Sequence, residues 1–251
     1  MSSLSFLQGK NMNNLSQKEQ KKLVGQFAVD RLIEKKLIFS GMKIGLGTGS
    51  TAMPVVTRIA EKIADGTLKD IKVVPTSFQT LIACENYNMA TYTLNSKVID
   101  GTLDLAIDGA DEISPKKHLI KGGGAAHVKE KIVEYNAKKL VIVADQSKLV
   151  DNLGTKFALP VEVIPDARIP VIKSLKKLGA TCVLREGVRK CGPVITDNGN
   201  QIIDCTWQNP VDAASLEDSI NDITGVVENG FFTKCNPIIF IAYSDGSVLE
   251  K

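Results

Sequence analysis

Residues 42–64 restrict the possible folds more than any other stretch of the chain. Residues 42–47 (MKIGLG) read as a short buried strand, 47–51 (GTGST) as a glycine loop, and 52–64 as a helix that tolerates Pro54 in its first turn. Strand, glycine loop and helix in that order form an α/β unit of a kind that binds phosphate. Gly47 and Gly49 let the backbone close on an anion, while Ser50 and Thr51 offer hydroxyls and N–H groups at a helix N-terminus. The loop is neither the GxxxxGKS/T of a P-loop nor GxGxxG, because Ser50 stands where the last glycine belongs. The next strand, 71–76, ends in Pro75-Thr76-Ser77, where a dinucleotide fold places an acidic residue for the ribose, so NAD is disfavoured.

The same alternation continues along the chain. An amphipathic helix over 17–36 precedes the first strand, with Leu23, Val24, Phe27, Ala28, Leu32 and Ile33 as its apolar stripe. A helix over 79–87, a strand near 90–94 and buried strands over 103–107 and 140–144 follow. From 154 to 227 the rhythm becomes β-rich: strands over 157–164 and 181–185, a hairpin of 194–196 with 201–203 turned by Asp197-Asn198-Gly199-Asn200, and helices over 168–178 and 213–220. A strand over 238–243 returns the chain to the first sheet. The expected architecture is α/β, with a parallel-sheet main domain formed by 1–153 plus 228–251 and a smaller α+β domain, 154–227, inserted before the C-terminal strands.

Several function classes are excluded by composition. A net charge of +3 without a basic run gives no reason to invoke nucleic acid or a lipid surface, and suits a metabolite-sized anion. Five cysteines lie singly, without a CxxC pair, which argues against a zinc site and a disulfide framework and for a reducing compartment. The first 14 residues hold no apolar signal core, Met12 is a second candidate start, and no window approaches a membrane span, so a cytoplasmic location is expected. His118 and His127 fit no catalytic or metal motif and read as solvated.

The chemistry gathers in two further segments. In 121–130 (KGGGAAHVKE), three bare residues allow the N–H groups of Gly122, Gly123 and Gly124 to approach an oxyanion beside Lys121. A helix follows, with Val128, Ile132 and Tyr135 as its expected core face. Glu130 lies on a second stripe with Ala126, Val133 and Ala137, where a carboxylate acquires a raised pKa. The bland alternative is a turn before a helix with a solvated glutamate. Residues 108–112 (DGADE) reach the carboxyl end of the 103–107 strand, where Asp108, Asp111 and Glu112 can serve as acid/base groups, cap a turn or hold magnesium. Lys148, just past the 140–144 strand, can hold a phosphate.

Taken in order, GLGTGST at 45–51, DGADE at 108–112, KGGGAA at 121–126 with Glu130 beyond, ADQSK at 144–148 and LPVEVIP at 159–165 resemble ribose-5-phosphate isomerase of the A type. The resemblance runs from about Ser16 to near the end of the chain. It implies an aldose–ketose isomerase, without a cofactor or metal, that interconverts ribose 5-phosphate and ribulose 5-phosphate. It also implies a Rossmann-like main domain, a ferredoxin-like small domain and a homodimer or homotetramer. By position, the family's general base falls on Glu130, its loop aspartates on Asp108 and Asp111, and its catalytic lysine on Lys121. The substrate-binding set falls on Lys21, Thr48, Gly49, Ser50, Thr51, Gly109, Ala110, Gly122, Gly123, Gly124 and Lys148. Two alternatives stay open: a sugar-phosphate sensor without catalysis, and a related enzyme such as an amino-sugar phosphate deaminase or a CoA transferase.

Overall fold

The computed structural model describes residues 14–251; Met12 and the rest of 1–13 lie outside the described residues. The first helix, α1 (Gln17–Glu34), opens with a capping box between Ser16 and Glu19, which satisfies N–H groups that a helix start leaves unpaired. There follow β1 (Lys43–Leu46), α2 (Gly49–Ala64), β2 (Lys72–Pro75), α3 (Phe78–Asn86) and β3 (Leu105–Asp108). Next come β4 (Glu112–Ile113), β5 (Leu119–Ile120), α4 (His127–Tyr135) and β6 (Leu140–Asp145). The chain then runs through β7 (Leu159–Val163), α5 (Arg168–Lys177), β8 (Thr181–Leu184), β9 (Gln201–Thr206), α6 (Ala213–Asn221) and β10 (Val226–Asn229). It ends with β11 (Phe231–Phe232), β12 (Ile238–Ala242) and β13 (Val248–Glu250).

Six strands form the main sheet in the order β13-β12-β6-β3-β1-β2, all parallel except β13. Every residue of β3 and β6 is buried, because helices or loops cover both faces. Along them the side chains alternate between two cores. Leu105, Ile107, Val141 and Val143 pack with Val24 and Leu32 of α1 and Val55 and Ile59 of α2, whereas Ala106, Ile142 and Ala144 pack with Val133 and Phe232. From β1 the chain steps outward to β2 and then returns to the other side of β1 at β3. That reversal leaves a crevice outside the carboxyl ends of β1 and β3, the place where open α/β sheets take ligands.

The second sheet has the order β10-β7-β9-β8, all antiparallel contacts, and its chain order β7-α5-β8-β9-α6-β10 is the ferredoxin-like βαββαβ arrangement. Strand β10 straddles the 227/228 boundary expected from the sequence. A small third sheet, β11-β5-β4, lies between the two and leads into Lys121, whose N–H bonds to the carbonyl of Gly230.

Three local expectations are corrected. Near 90–94 only a bridge between Val73 and Thr91 forms, and residues 194–196 make a single bridge, Ile195 to Gln201, because β9 spends its hydrogen bonds on β7 and β8. On α4, Ile132 is half exposed, and the buried face is instead His127, Glu130, Lys131, Val133 and Glu134. Among the described residues no helix is long and apolar enough to cross a membrane.

Candidate active site

The loop after β1 folds tightly against the loop after β3. A Cβ on Gly47 would lie 1.9 Å from Asp108 Oδ1, so only glycine permits the contact. That same oxygen accepts the N–H groups of Thr48 (3.0 Å) and Gly109 (2.7 Å). Helix α2 begins at Gly49, three residues earlier than the periodicity suggests, which puts Ser50 and Thr51 in its first turn. Thr48, its N-cap, gives no side-chain cap; its hydroxyl bonds to Thr76 and Ser77, each at 2.7 Å. The helix start therefore lacks a cap from Thr48, and its first residues, Gly49, Ser50 and Thr51, line a cleft at the helix end that favours negative charge. Lys21 of α1 donates to Ser50 Oγ at 3.0 Å, and Lys148 comes from the short turn that Asp145 caps after β6.

Behind this cradle lies a buried charge cluster. Lys121 Nζ sits 2.9 Å from Asp108 Oδ2, 3.1 Å from Glu134 Oε1 and 3.5 Å from Glu130 Oε2, and donates to the carbonyl of Gly109 at 2.7 Å. Burial is the largest single influence on the ammonium and pushes its pKa down, but Asp108, Glu130 and Glu134 outweigh it and hold the group well above its ordinary value. The Glu130 carboxyl is pushed up to about 8, chiefly by burial, with Asp108 and Asp111 adding to the rise and Lys121 opposing it. Burial likewise pushes Glu134 well above the usual carboxylate range. Asp108, Glu130 and Glu134 are also the described carboxylates close enough to share a cation, and the Lys121 ammonium already sits against all three.

Two successive acidic residues part company at β4. Asp111 accepts the Gly123 N–H at 2.7 Å and lines the cleft. Glu112, expected among the acid/base candidates, is fully buried on the other side and accepts the N–H groups of Gly154, Lys156 and Phe157 at 2.5–2.7 Å. It anchors the entry to the second sheet. His127 is also corrected: it is fully buried rather than solvated, with burial pushing its pKa down to about 3, so the ring is neutral. It underlies Gly122, whose φ of +106° and 2.8 Å clearance from the His127 ring leave no place for a side chain.

One cleft of about 100 Å³ is lined by Lys21, Thr48, Gly49, Ser50, Thr51, Gly109, Ala110, Asp111, Lys121, Gly122, Gly123, Gly124, Glu130 and Lys148. Besides Glu112, Asp108 lies outside this lining; it is 1% exposed, with its oxygens directed at Thr48, Gly109 and Lys121. A larger opening of about 550 Å³, between 113–117 and 149–156, holds neither the glycine loop nor the lysine cluster. Sequence reasoning missed Glu134, although its i+4 spacing from Glu130 places both on one helix face. It also missed Gln79, which accepts the Gly49 N–H at 3.0 Å and carries no local signal.

Comparison with known proteins shows the family to which the chain belongs. The family profile of ribose 5-phosphate isomerase A (phosphoriboisomerase A) matches residues 72–246. The chain is 56% identical over 230 residues to ribose-5-phosphate isomerase A of Treponema denticola, covering 91% of this chain and 96% of that one. The Treponema pallidum enzyme is 51% identical, with 92% of each chain covered. Among solved structures, ribose 5-phosphate isomerase A of Methanocaldococcus jannaschii superposes with a TM-score of 0.84 at 44% identity, covering 94% of this chain and all of the other. A D-ribose-5-phosphate isomerase in complex with phospho-erythronic acid gives 0.86 at 39% identity, again over 94% of this chain and all of the other.

Proposed function

The chain belongs to the ribose 5-phosphate isomerase A family, and from that premise we propose that it interconverts D-ribose 5-phosphate and D-ribulose 5-phosphate through an enediolate, with Glu130 as the base. The carrying observation is the Glu130 carboxyl, buried beside the Lys121 ammonium at 3.5 Å, in the same cleft as the cradle formed by Ser50, Thr51 and Lys148. A phosphate in that cradle places the sugar carbons toward the base. The relative solved with phospho-erythronic acid binds a molecule that carries a phosphate and a carboxylate, the two kinds of anion such a cleft attracts. A division into a catalytic part and a smaller α+β part is proposed with it, supported by an apolar core built around β7–β10, which Ile120, Val150, Leu153 and Phe231 join from the main part.

In the forward direction the ionised Glu130 removes the proton on C2 of the open-chain aldose. The electron pair forms the C1–C2 double bond, and the aldehyde oxygen O1 becomes an oxyanion. Lys121 and the glycine-loop N–H groups other than that of Gly123, which is given to Asp111, stabilise that charge, a contribution of roughly 3–4 kcal/mol per well-placed donor. Glu130 then returns the proton to C1, while the O2 hydroxyl loses its proton and O1 gains one; atoms and charge balance. Asp111, in the cleft and held by Gly123, is assigned the hydroxyl protons. Asp108, with its oxygens already directed at Lys121 and two backbone N–H groups, is assigned to holding the lysine. Phosphate binding holds the reacting carbons in place.

The test is a time course of ribose 5-phosphate with the protein in D₂O. Ribulose 5-phosphate carrying deuterium at C1 is the expected product, with free ribose turned over far more slowly. No product from ribose 5-phosphate, or in parallel assays ammonia released from an amino-sugar phosphate or exchange with a supplied acyl-CoA, would overturn the proposal. A pH profile provides a second check. Because the base acts ionised and its pKa is pushed up to about 8, kcat/KM is expected to rise through about pH 8. A flat profile from pH 6 to 9 would remove Glu130 from the role.

A further inference from the structure

A chain of polar contacts reaches the back of the glycine loop from the second sheet. Arg185, the residue after β8, lies between Asp204 of β9 and the backbone of 122–123. Its Nε and Nη2 donate to the two oxygens of Asp204 at 2.8 and 2.5 Å. Its Nη1 donates to the carbonyl of Gly122 at 2.9 Å and, more weakly, to that of Gly123 at 3.3 Å. A guanidinium held in this two-pronged way is fixed in orientation before it meets the loop.

Peptide geometry turns that contact into a statement about the site. A trans peptide unit is planar, so its C=O and N–H point to opposite sides. The Gly122 carbonyl shares a plane with the Gly123 N–H, and the Gly123 carbonyl with the Gly124 N–H. The Gly122 carbonyl also accepts the Ala125 N–H at 3.0 Å, so a cation that holds both carbonyls from behind completes the fixing of two donors on the other side. The Gly123 N–H is the one that grips Asp111 at 2.7 Å, and both Gly123 and Gly124 line the cleft. These residues have no Cβ to restrain their rotation, and the positive charge on the carbonyls also strengthens the N–H groups as donors.

We propose that Arg185, braced by Asp204, is a positioning residue for the isomerisation: it sets the peptide planes that aim the Gly123 and Gly124 N–H groups and, through Gly123, the Asp111 carboxylate. The inference rests on the reading of the site as an isomerase. Arg185 acts through the backbone and touches no reacting atom, which separates it from Lys121 and Glu130.

The test uses Arg185→Ala, Arg185→Lys and Asp204→Asn in the full chain. Arg185→Ala is expected to lower kcat for ribose 5-phosphate by about tenfold or more, since a misaimed oxyanion donor loses much of its effect. KM should change much less, because the phosphate cradle lies on other elements. Free guanidinium at millimolar concentration should restore part of the turnover in Arg185→Ala, and methylammonium should not. Arg185→Lys keeps the charge but not the fork, so its kcat should also fall; Asp204→Asn should fall less. A kcat within threefold of wild type in Arg185→Lys, or a loss in Arg185→Ala without guanidinium rescue, would overturn the proposal. Should Arg185→Ala not fold, the lysine variant decides. The amide resonances of Gly123 and Gly124 give a substrate-free readout: they should move in Arg185→Ala and return with guanidinium. Unmoved resonances refute the positioning role even if wild type isomerises ribose 5-phosphate, whereas an inactive wild type with rescued resonances refutes only the isomerase reading.

Discussion

Glu130→Gln is expected to lower kcat for ribose 5-phosphate by about 10²–10⁴-fold, the usual worth of a positioned general base, while the protein stays folded. Glutamine matches glutamate in size and stays neutral, so it preserves packing beside Lys121 and removes only the ability to take a proton. The variant also separates the two consequences of burial. In the folded protein the carboxyl is pushed up to about 8, whereas an unfolded chain ionises it near the ordinary value of 4.5. The neutral buried form thus contributes stability that is fully present below about pH 4.5 and lost as pH rises through about 8. Glutamine does not titrate, so the variant's Tm should fall less than that of wild type between pH 5 and 9. Turnover within threefold of wild type would sink the base assignment, and parallel Tm curves would sink the argument from burial.

Lys121→Met should be the most damaging single substitution in the site, because it removes the proposed oxyanion donor and strands three carboxyl groups at once. Loss of one oxyanion donor typically costs about 10²–10³ in kcat. Breaking a buried ion pair by deleting one partner costs about 3–5 kcal/mol, which for a chain of this size lowers Tm by roughly 6–20 °C. Glu130 and Glu134 lose the ammonium that opposes the burial of their carboxyls, so their folded pKa values rise further. The stability deficit relative to wild type should accordingly be smaller at pH 5, where carboxyls protonate, than at pH 8. Differential scanning calorimetry at both pH values, with initial rates at each, measures this. A Tm within 2 °C of wild type at pH 8 would show that the cluster does not need its lysine.

What could be read from the sequence follows the range of the interactions. The loop at 47–51 and the buried strands were legible because glycine chemistry and apolar runs are local properties. The polar face of α4 was not. Periodicity assigns the core face to the apolar residues, but His127, Glu130, Lys131 and Glu134 are buried by partners distant in sequence. Lys131 pairs with Glu217 at 3.1 Å and Glu228 at 2.8 Å, and Tyr135 donates to Glu217 at 3.1 Å. The helix that carries Glu130 is thereby tied to α6 and β10 by polar bonds that no hydrophobic pattern records. Asp108, Asp111 and Glu112 look alike in the sequence, yet strand alternation at β4 sends Glu112 away from the cleft. Arg185 and Asp204 gave no local sign at all, since their bearing on the glycine loop exists only once the second sheet is folded beside it.

The order of strands in the main sheet also bears on how the protein is made. Strand β6 has β3 on one side and β12 on the other, and residues 146–237 separate β6 from β12. During synthesis the whole four-stranded sheet must emerge before β12 can close that edge. Until then LVIVAD of β6, every residue of which is buried in the finished protein, presents an open row of backbone donors and acceptors. The loops at 47–51 and 108–111 and the 121–130 segment all precede this point, so the pieces of the active site exist before the sheet that supports them is sealed. Chains that end within 146–237 lack β12 and carry this edge open, able to pair edge to edge, so the nascent chain needs protection over that interval.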